Sequence, residues 1–195
     1  MIDLGDQKLI LASASPRRRE LLDGLKLPYE MRLIEGIDES HPPHLTAGDI
    51  PLYVAIQKAE AYLSTLGKHE LLLTADTIVW IDNKVLGKPA NKEEACAMLQ
   101  TLSGRTHQVY TGVTLTTCNK QRTFTVCTDV HFATLSEEEI NFYIENYLPL
   151  DKAGSYGVQE WIGYVACTGM NGSFYNVMGL PVQRLYQELK AHFSR

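Results

Sequence analysis

Cysteine is scarce: Cys96, Cys118, Cys127 and Cys167 are the four in the chain. None forms a CxxC pair and their spacing matches no zinc pattern, so neither a zinc site nor a disulfide framework is expected. Cys118 and Cys127 have the spacing to face each other across a hairpin, but reduced thiols in a cytoplasmic protein are the simpler expectation. Long apolar runs are missing, which leaves no segment to span a bilayer. The first residues lack the basic and apolar regions of a signal peptide. A basic excess is lacking as well. Lys and Arg number 18 against 23 Asp and Glu, a net charge of −5, which argues against broad nucleic-acid binding. There is no Walker A pattern, no Gly-x-Ser-x-Gly elbow and no histidine pair at i, i+4 on an obvious helix. P-loop, serine-hydrolase and zinc-protease chemistry are thereby set aside. Internal repeats, low-complexity tracts and linkers are absent too.

What remains is an ordinary globular composition over 195 residues, enough to bury a real core in one domain with room for two lobes. Cations concentrated at a few loops of an acidic chain suit a small anionic substrate.

The densest such loop follows the apolar run Leu9-Ile10-Leu11. Ala12-Ser13-Ala14-Ser15-Pro16 bends the chain, with Ser15 placed as N-cap and Pro16 in the first helical turn. Arg17, Arg18 and Arg19 then load cations onto the positive end of a helix, the wrong sign for stability. Two readings stand: an anion, most naturally a phosphate, binds there, or the run is a solvated surface.

Gly24 is expected to stop this helix. Tyr29–Ile34 reads as a strand ending in an acidic loop with Asp38 and Glu39. A second helix starts at Thr46 or Asp49, carries Lys58 and reaches about Leu66. Leu71–Thr74 and Ile78–Ile81 read as strand on either side of Ala75-Asp76-Thr77, before a turn at Asp82-Asn83. Asn91–Glu94 has capping-box spacing and opens a third helix to about Leu102, with Gly104 ending it. His107–Leu115 and Thr123–Leu135 form a long antiparallel hairpin. Ser136–Glu139 caps a helix to about Tyr147. A Gly-rich stretch spans 151–159. Gly163–Cys167 reads as a strand, Thr168–Gly172 as a turn, and the last helix runs to about Phe193. The mixture is α/β with a substantial antiparallel part.

Asp76 is the most unusual acid, because it interrupts a strongly apolar stretch. A carboxylate there needs a partner, a metal or a catalytic task. Asp38 and Glu39 offer carboxylates of the kind Mg²⁺ takes beside phosphate oxygens, and equally suit a solvated loop. Lys58 lies mid-helix, Lys88 is pinned between Gly87 and Pro89, and Lys152 neighbours Asp151. Taken singly, each lysine suits an ordinary surface. As a set with Arg17, Arg18, Asp76 and Glu39 they suit phosphoanhydride chemistry, in which cations balance phosphate charge and one acid activates water.

Ser13–Arg18, Ala75-Asp76-Thr77, Gly87-Lys88-Pro89, Leu102-Ser103-Gly104, Asp151–Gly154 and Gly179-Leu180-Pro181 together resemble the Maf family of nucleotide pyrophosphatases. They do so in order from about Leu9 to Leu189. The resemblance implies a single Maf-like domain over 1–195 with an elongated, highly twisted mixed sheet flanked by helices, and two lobes with a central cleft. It implies hydrolysis of nucleoside triphosphates to monophosphate and pyrophosphate, a house-cleaning role. It also implies a divalent cation (Mg²⁺ or Mn²⁺), a small-molecule nucleotide as partner and a homodimer. Carried over by position, Asp76 resembles the general base and a metal ligand. Glu39 resembles a metal or catalytic contributor. Ser13, Arg17, Arg18, Lys58 and Lys88 match phosphate-binding positions.

Residues 151–159 look like the dTTP/UTP branch, in which Arg17, Thr77 and Gln159 match positions tied to substrate choice. A Gln amide offers one donor and one acceptor, which complement the O4/N3–H edge of uracil or thymine. Two departures bear on substrate range, modified pyrimidine nucleotides included. Glu160 stands where the family usually has Gly, and Thr168–Asn171 replaces a more basic segment. The alternatives within the resemblance are the 7-methyl-GTP branch and a non-catalytic nucleotide-binding regulator of septum formation.

Overall fold

Leu9, Ile10 and Leu11 are almost wholly buried at the end of strand β1 (Lys8–Leu11). A short run buried on both faces suits an inner parallel strand. Strands β2 (Tyr29–Met31) and β3 (Glu70–Ile81) pair with β1 in parallel, placing Leu11 opposite Met31 and Leu73. The structure is a computed structural model that describes residues 2–194. Four further strands follow: β4 (Lys84–Leu86), β5 (Thr106–Thr116), β6 (Gln121–Phe132) and β7 (Cys167–Asn171). The mixed sheet has the order β2-β1-β3-β5-β6-β7, with β4 paired to β3. The helices are α1 (Pro16–Gly24), α2 (Asp49–Tyr62), α3 (Lys92–Leu102), α4 (Glu137–Tyr147), α5 (Trp161–Ala166), α6 (Phe174–Met178) and α7 (Val182–His192). The α/β expectation, a mixed sheet flanked by helices, holds.

The described chain divides into two compact units. One comprises residues up to Asp76, Thr111–Val126 and Gly179 onward; the other comprises Thr77–Tyr110 and Cys127–Met178.

In the first unit, Ile10, Ala12, Ala59, Tyr62 and Leu72 form a buried cluster, with Ile37 and Leu66 packed on it. Burying one such Leu or Ile side chain contributes roughly 1.5–3 kcal/mol. The Tyr62 hydroxyl donates to the Arg32 carbonyl (3.0 Å) and accepts from the Ile34 amide (2.9 Å). That pair ties down the chain that leads to Glu39. Helix α2 presses on β5 at Gly112, where a Cβ would lie 2.4 Å from the Leu52 amide nitrogen. Only glycine permits that approach.

In the second unit, α3 starts at Asn91, whose side chain accepts from the Glu94 amide. Helix α4 starts with a complete capping box between Ser136 and Glu139. The rings of His107, Phe132 and Tyr156 meet edge to face in the interior. The Asp82-Asn83 turn has φ of 50° and 58°, as a tight hairpin connection requires.

Several expectations give way. Strand β2 stops at Met31 instead of Ile34, because its partner β1 ends at Leu11 and turns toward α1. Gly24 is the last residue of α1, and the left-handed residue is Lys26, with φ 57°. Strand β3 runs through Asp76 without interruption. Residues 161–166 are helix, not strand, and 167–171 are strand, not turn. All four cysteines are free thiols.

Candidate active site

Two side-chain periods build the centre of the site. Along β3, Thr74 and Asp76 are two residues apart and share a face. Along α2, Ala55 and Lys58 are three apart and share a face. The wholly buried Thr74 hydroxyl donates to the Ala55 carbonyl (2.7 Å). One step further along each element, the Lys58 ammonium donates to Asp76 Oδ1 (2.9 Å). Lys58 Nζ also lies 3.0 Å from Glu39 Oε1. Lys58 and Asp76 are 12% and 16% exposed, whereas Glu39 is half exposed at 50%. The loop that carries Glu39 is stiffened by Asp38, which accepts from both the Ser40 amide and hydroxyl. Those bonds hold the Asp38 carboxyl below its usual range.

The opening loop behaves as its sequence suggests. Ser15 caps α1 by accepting from the Arg18 amide, and Pro16 occupies the first turn. Ser13 is buried, and its hydroxyl accepts from the Ser15 amide (3.3 Å) and from Arg18 Nη1 (3.4 Å). Arg18 also donates from Nη1 to the Ala75 carbonyl (2.9 Å) and from Nε to the Gly179 carbonyl (2.8 Å). It therefore fixes the strand beside Asp76 to the start of α1. Burial lowers the Arg18 pKa, Asp76 opposes that, Arg17 adds to it, and Glu39 opposes it. Ser13, Arg18, Glu39, Lys58 and Asp76 are thus brought together, with Arg17 close enough to act on Arg18. Local sequence gave no hint that Arg18 would tie distant carbonyls together, or that Thr74 and Gly112 would seat α2.

Thr77 follows Asp76 on β3 and its side chain points to the opposite face of the strand. Within the second unit, Lys88 is exposed on a loop held by a bond from the Gly154 amide to the Gly87 carbonyl (3.0 Å). Gly154 has φ 66°, and a Cβ there would strike Val79 at 2.8 Å. Lys152 is buried and its ammonium contacts Asp151 Oδ1 (2.7 Å) and Glu160 Oε1 (3.2 Å). The Tyr143 hydroxyl donates to Glu160 Oε2 and accepts from the Gly157 amide (3.0 Å). Beside this network, Gln159 Oε1 is buried without a hydrogen-bond partner.

Among the described residues, no three His, Cys, Asp or Glu side chains converge as a ready-made metal cage. Glu39 and Asp76 nonetheless flank one cation with oxygen donors. That donor set fits a hard divalent ion, which takes one or two carboxylates and completes its shell with water and substrate phosphates.

A family model described as Maf-like protein matches residues 8–192. The chain belongs to the Maf family. Among curated Maf relatives, a dTTP/UTP pyrophosphatase of Phocaeicola vulgatus is 58% identical over 188 residues, 96% of this chain and 97% of its own. One of Parabacteroides distasonis is 58% identical over 191 residues, 98% of each chain. One of Bacteroides thetaiotaomicron is 55% identical over 188 residues, 96% of this chain and 97% of its own. Among solved structures, a HAM1 protein from Coxiella burnetii aligns with 66% of this chain and 74% of its own. Its 17% identity and TM-score of 0.43 are too slight to argue from.

Proposed function

We propose that this Maf protein hydrolyses dTTP and UTP to the monophosphate and pyrophosphate. The observation that carries the reading is the Asp76–Lys58–Glu39 arrangement, in which one largely buried acid is held against a cation and a second acid. The names of its relatives support the same substrates.

Asp76 is the general base. Lys58 donates to its Oδ1 and fixes that oxygen. A water oriented by Asp76 forms a bond to the α-phosphorus while the bond from that phosphorus to the bridging oxygen breaks. Its proton passes to Asp76, and pyrophosphate leaves with the bridging oxygen. Orientation of the water and neutralisation of the growing negative charge supply most of the acceleration. Arg17, Arg18, Ser13 and Lys88 bind phosphate oxygens. A divalent cation held by Glu39 and Asp76 would polarise those oxygens and balance their charge. Gln159 reads the pyrimidine edge, with Arg17 and Thr77 contributing to selection.

The test is pyrophosphate release from UTP, dTTP, CTP and 7-methyl-GTP, each with Mg²⁺ or Mn²⁺. UTP and dTTP are expected to be the best substrates. Preference for 7-methyl-GTP assigns the chain to the other branch, and release from none of them overturns the enzymatic reading.

A further inference from the structure

Gly157–Glu160 is a four-residue turn closed twice. Its backbone is closed by the Glu160 amide donating to the Gly157 carbonyl (2.9 Å). A side chain closes it again: the buried Tyr143 hydroxyl accepts from the Gly157 amide and donates to the Glu160 carboxylate. The Glu160 carbonyl continues into α5 by accepting from the Gly163 amide (2.9 Å). The second Glu160 oxygen meets the buried ammonium of Lys152. A buried ammonium needs a countercharge, and removing one partner of such a pair is far more costly than the pair is worth. Desolvation and the bond to Glu160 raise the Tyr143 pKa, so its hydroxyl stays a donor across the working range.

Nothing in the reaction uses Glu160, yet the turn it closes carries Gln159. The Gln159 amide nitrogen sits over Gly157, where a Cβ would lie 2.8 Å from it. Its oxygen is buried and has no donor. An acceptor in that condition is unfavourable, and the N3–H of an imide base supplies what it lacks. The oxygen is closed to water, so a base meets it as the carboxamide turns about its own torsions. The fixed backbone of the turn decides where that oxygen goes.

Resting on the base-recognition reading above, we infer that Glu160 is a positioning residue for base selection. Clamped between Lys152 and Tyr143, it aims the Gln159 carboxamide at an imide edge and away from the amidine-like edge of cytosine.

The test compares kcat and KM for UTP and CTP in the wild type, Glu160→Ala, Glu160→Gln and Tyr143→Phe. Glu160→Ala is expected to lower the UTP-to-CTP ratio of kcat/KM roughly tenfold, the loss falling on KM for UTP. Glu160→Gln still accepts from Tyr143 and recovers part of the ratio. Tyr143→Phe keeps the ring, opens the clamp and lowers the ratio as Glu160→Ala does, so it carries the test where the alanine variant does not fold. An unchanged ratio, or equal losses on both nucleotides, overturns the inference. A wild type that hydrolyses UTP and CTP alike overturns the base-recognition reading itself, and the inference with it.

Discussion

Lys58 holds two carboxylates at once, and the chemistry of Asp76 follows from that. An ammonium 2.9 Å away faces an acid set in a largely apolar strand. Asp76→Asn preserves volume and still accepts from Lys58, but it cannot take a proton from water. Turnover is expected to fall by ~10³-fold with the melting temperature nearly unchanged, read by initial rates beside thermal denaturation. Near-normal rates would remove Asp76 from the base role. Asp76 was legible in the sequence because an acid in an apolar run has few structural reasons to be there. The tethering by Arg18 was not, because its carbonyl partners Ala75 and Gly179 are distant in sequence. His107 sets a pH limit of a different kind. Burial first, and His131 second, push its pKa from 6.5 down to about 4. The fold keeps it neutral, while the unfolded chain takes up a proton below about 6.5. Its contribution to stability is therefore complete above that pH and is lost as pH falls toward 4. Urea midpoints are expected to report about 1–2 kcal/mol less stability at pH 5 than at pH 7, with His107→Gln flattening the slope.

Among elements, the register of α2 against β3 and β5 decides whether Lys58 meets Asp76. Thr74→Val removes the hydroxyl that bonds the Ala55 carbonyl, an acceptor in the middle of α2. It is expected to lower stability by about 0.5–1.5 kcal/mol and to reduce kcat more than it raises KM. Gly112→Ala drives a methyl group into the backbone of Pro51 and Leu52. Backbone cannot give way as a side-chain end does, so a loss of about 3 kcal/mol or more is expected, measured by denaturant unfolding. Capping chemistry made Ser15, Asn91 and Ser136 readable as helix starts, since each satisfies amides from its own side chain. After residue 160 the local pattern points the wrong way, for the opposite reason. Tyr164 and Val165 make Gly163–Cys167 read as strand, yet Trp161–Ala166 is helical, and Gly163 lies against the Val158 carbonyl, where any Cβ would be 1.8 Å away. Thr168–Gly172 looks like a turn alone, yet Gly169–Asn171 becomes strand by pairing with Asp129–His131 of β6. Those contacts are tertiary, and no local pattern encodes them.

Over the whole chain, β3, β5 and β6 each pass from one compact unit into the other. A hydrogen-bonded strand is not readily split into independent halves, which supports the proposal of one Maf-like domain. Calorimetry is expected to show a single cooperative transition, and two resolved transitions would refute the single domain. The formal charge of −5 is repulsive to nucleotides at long range, so under the proposed function binding is expected to rest on local cations such as Arg17, Arg18 and Lys58 and to weaken as salt screens them. Under the proposed function, water that Asp76 activates attacks the α-phosphorus. Hydrolysis of UTP in heavy-oxygen water, followed by mass spectrometry of both products, tests it directly. One heavy oxygen is expected in the monophosphate, none in pyrophosphate, and almost no labelled product from Asp76→Asn. Label in pyrophosphate or in inorganic phosphate released directly, or undiminished labelling by the Asp76 variant, would contradict it.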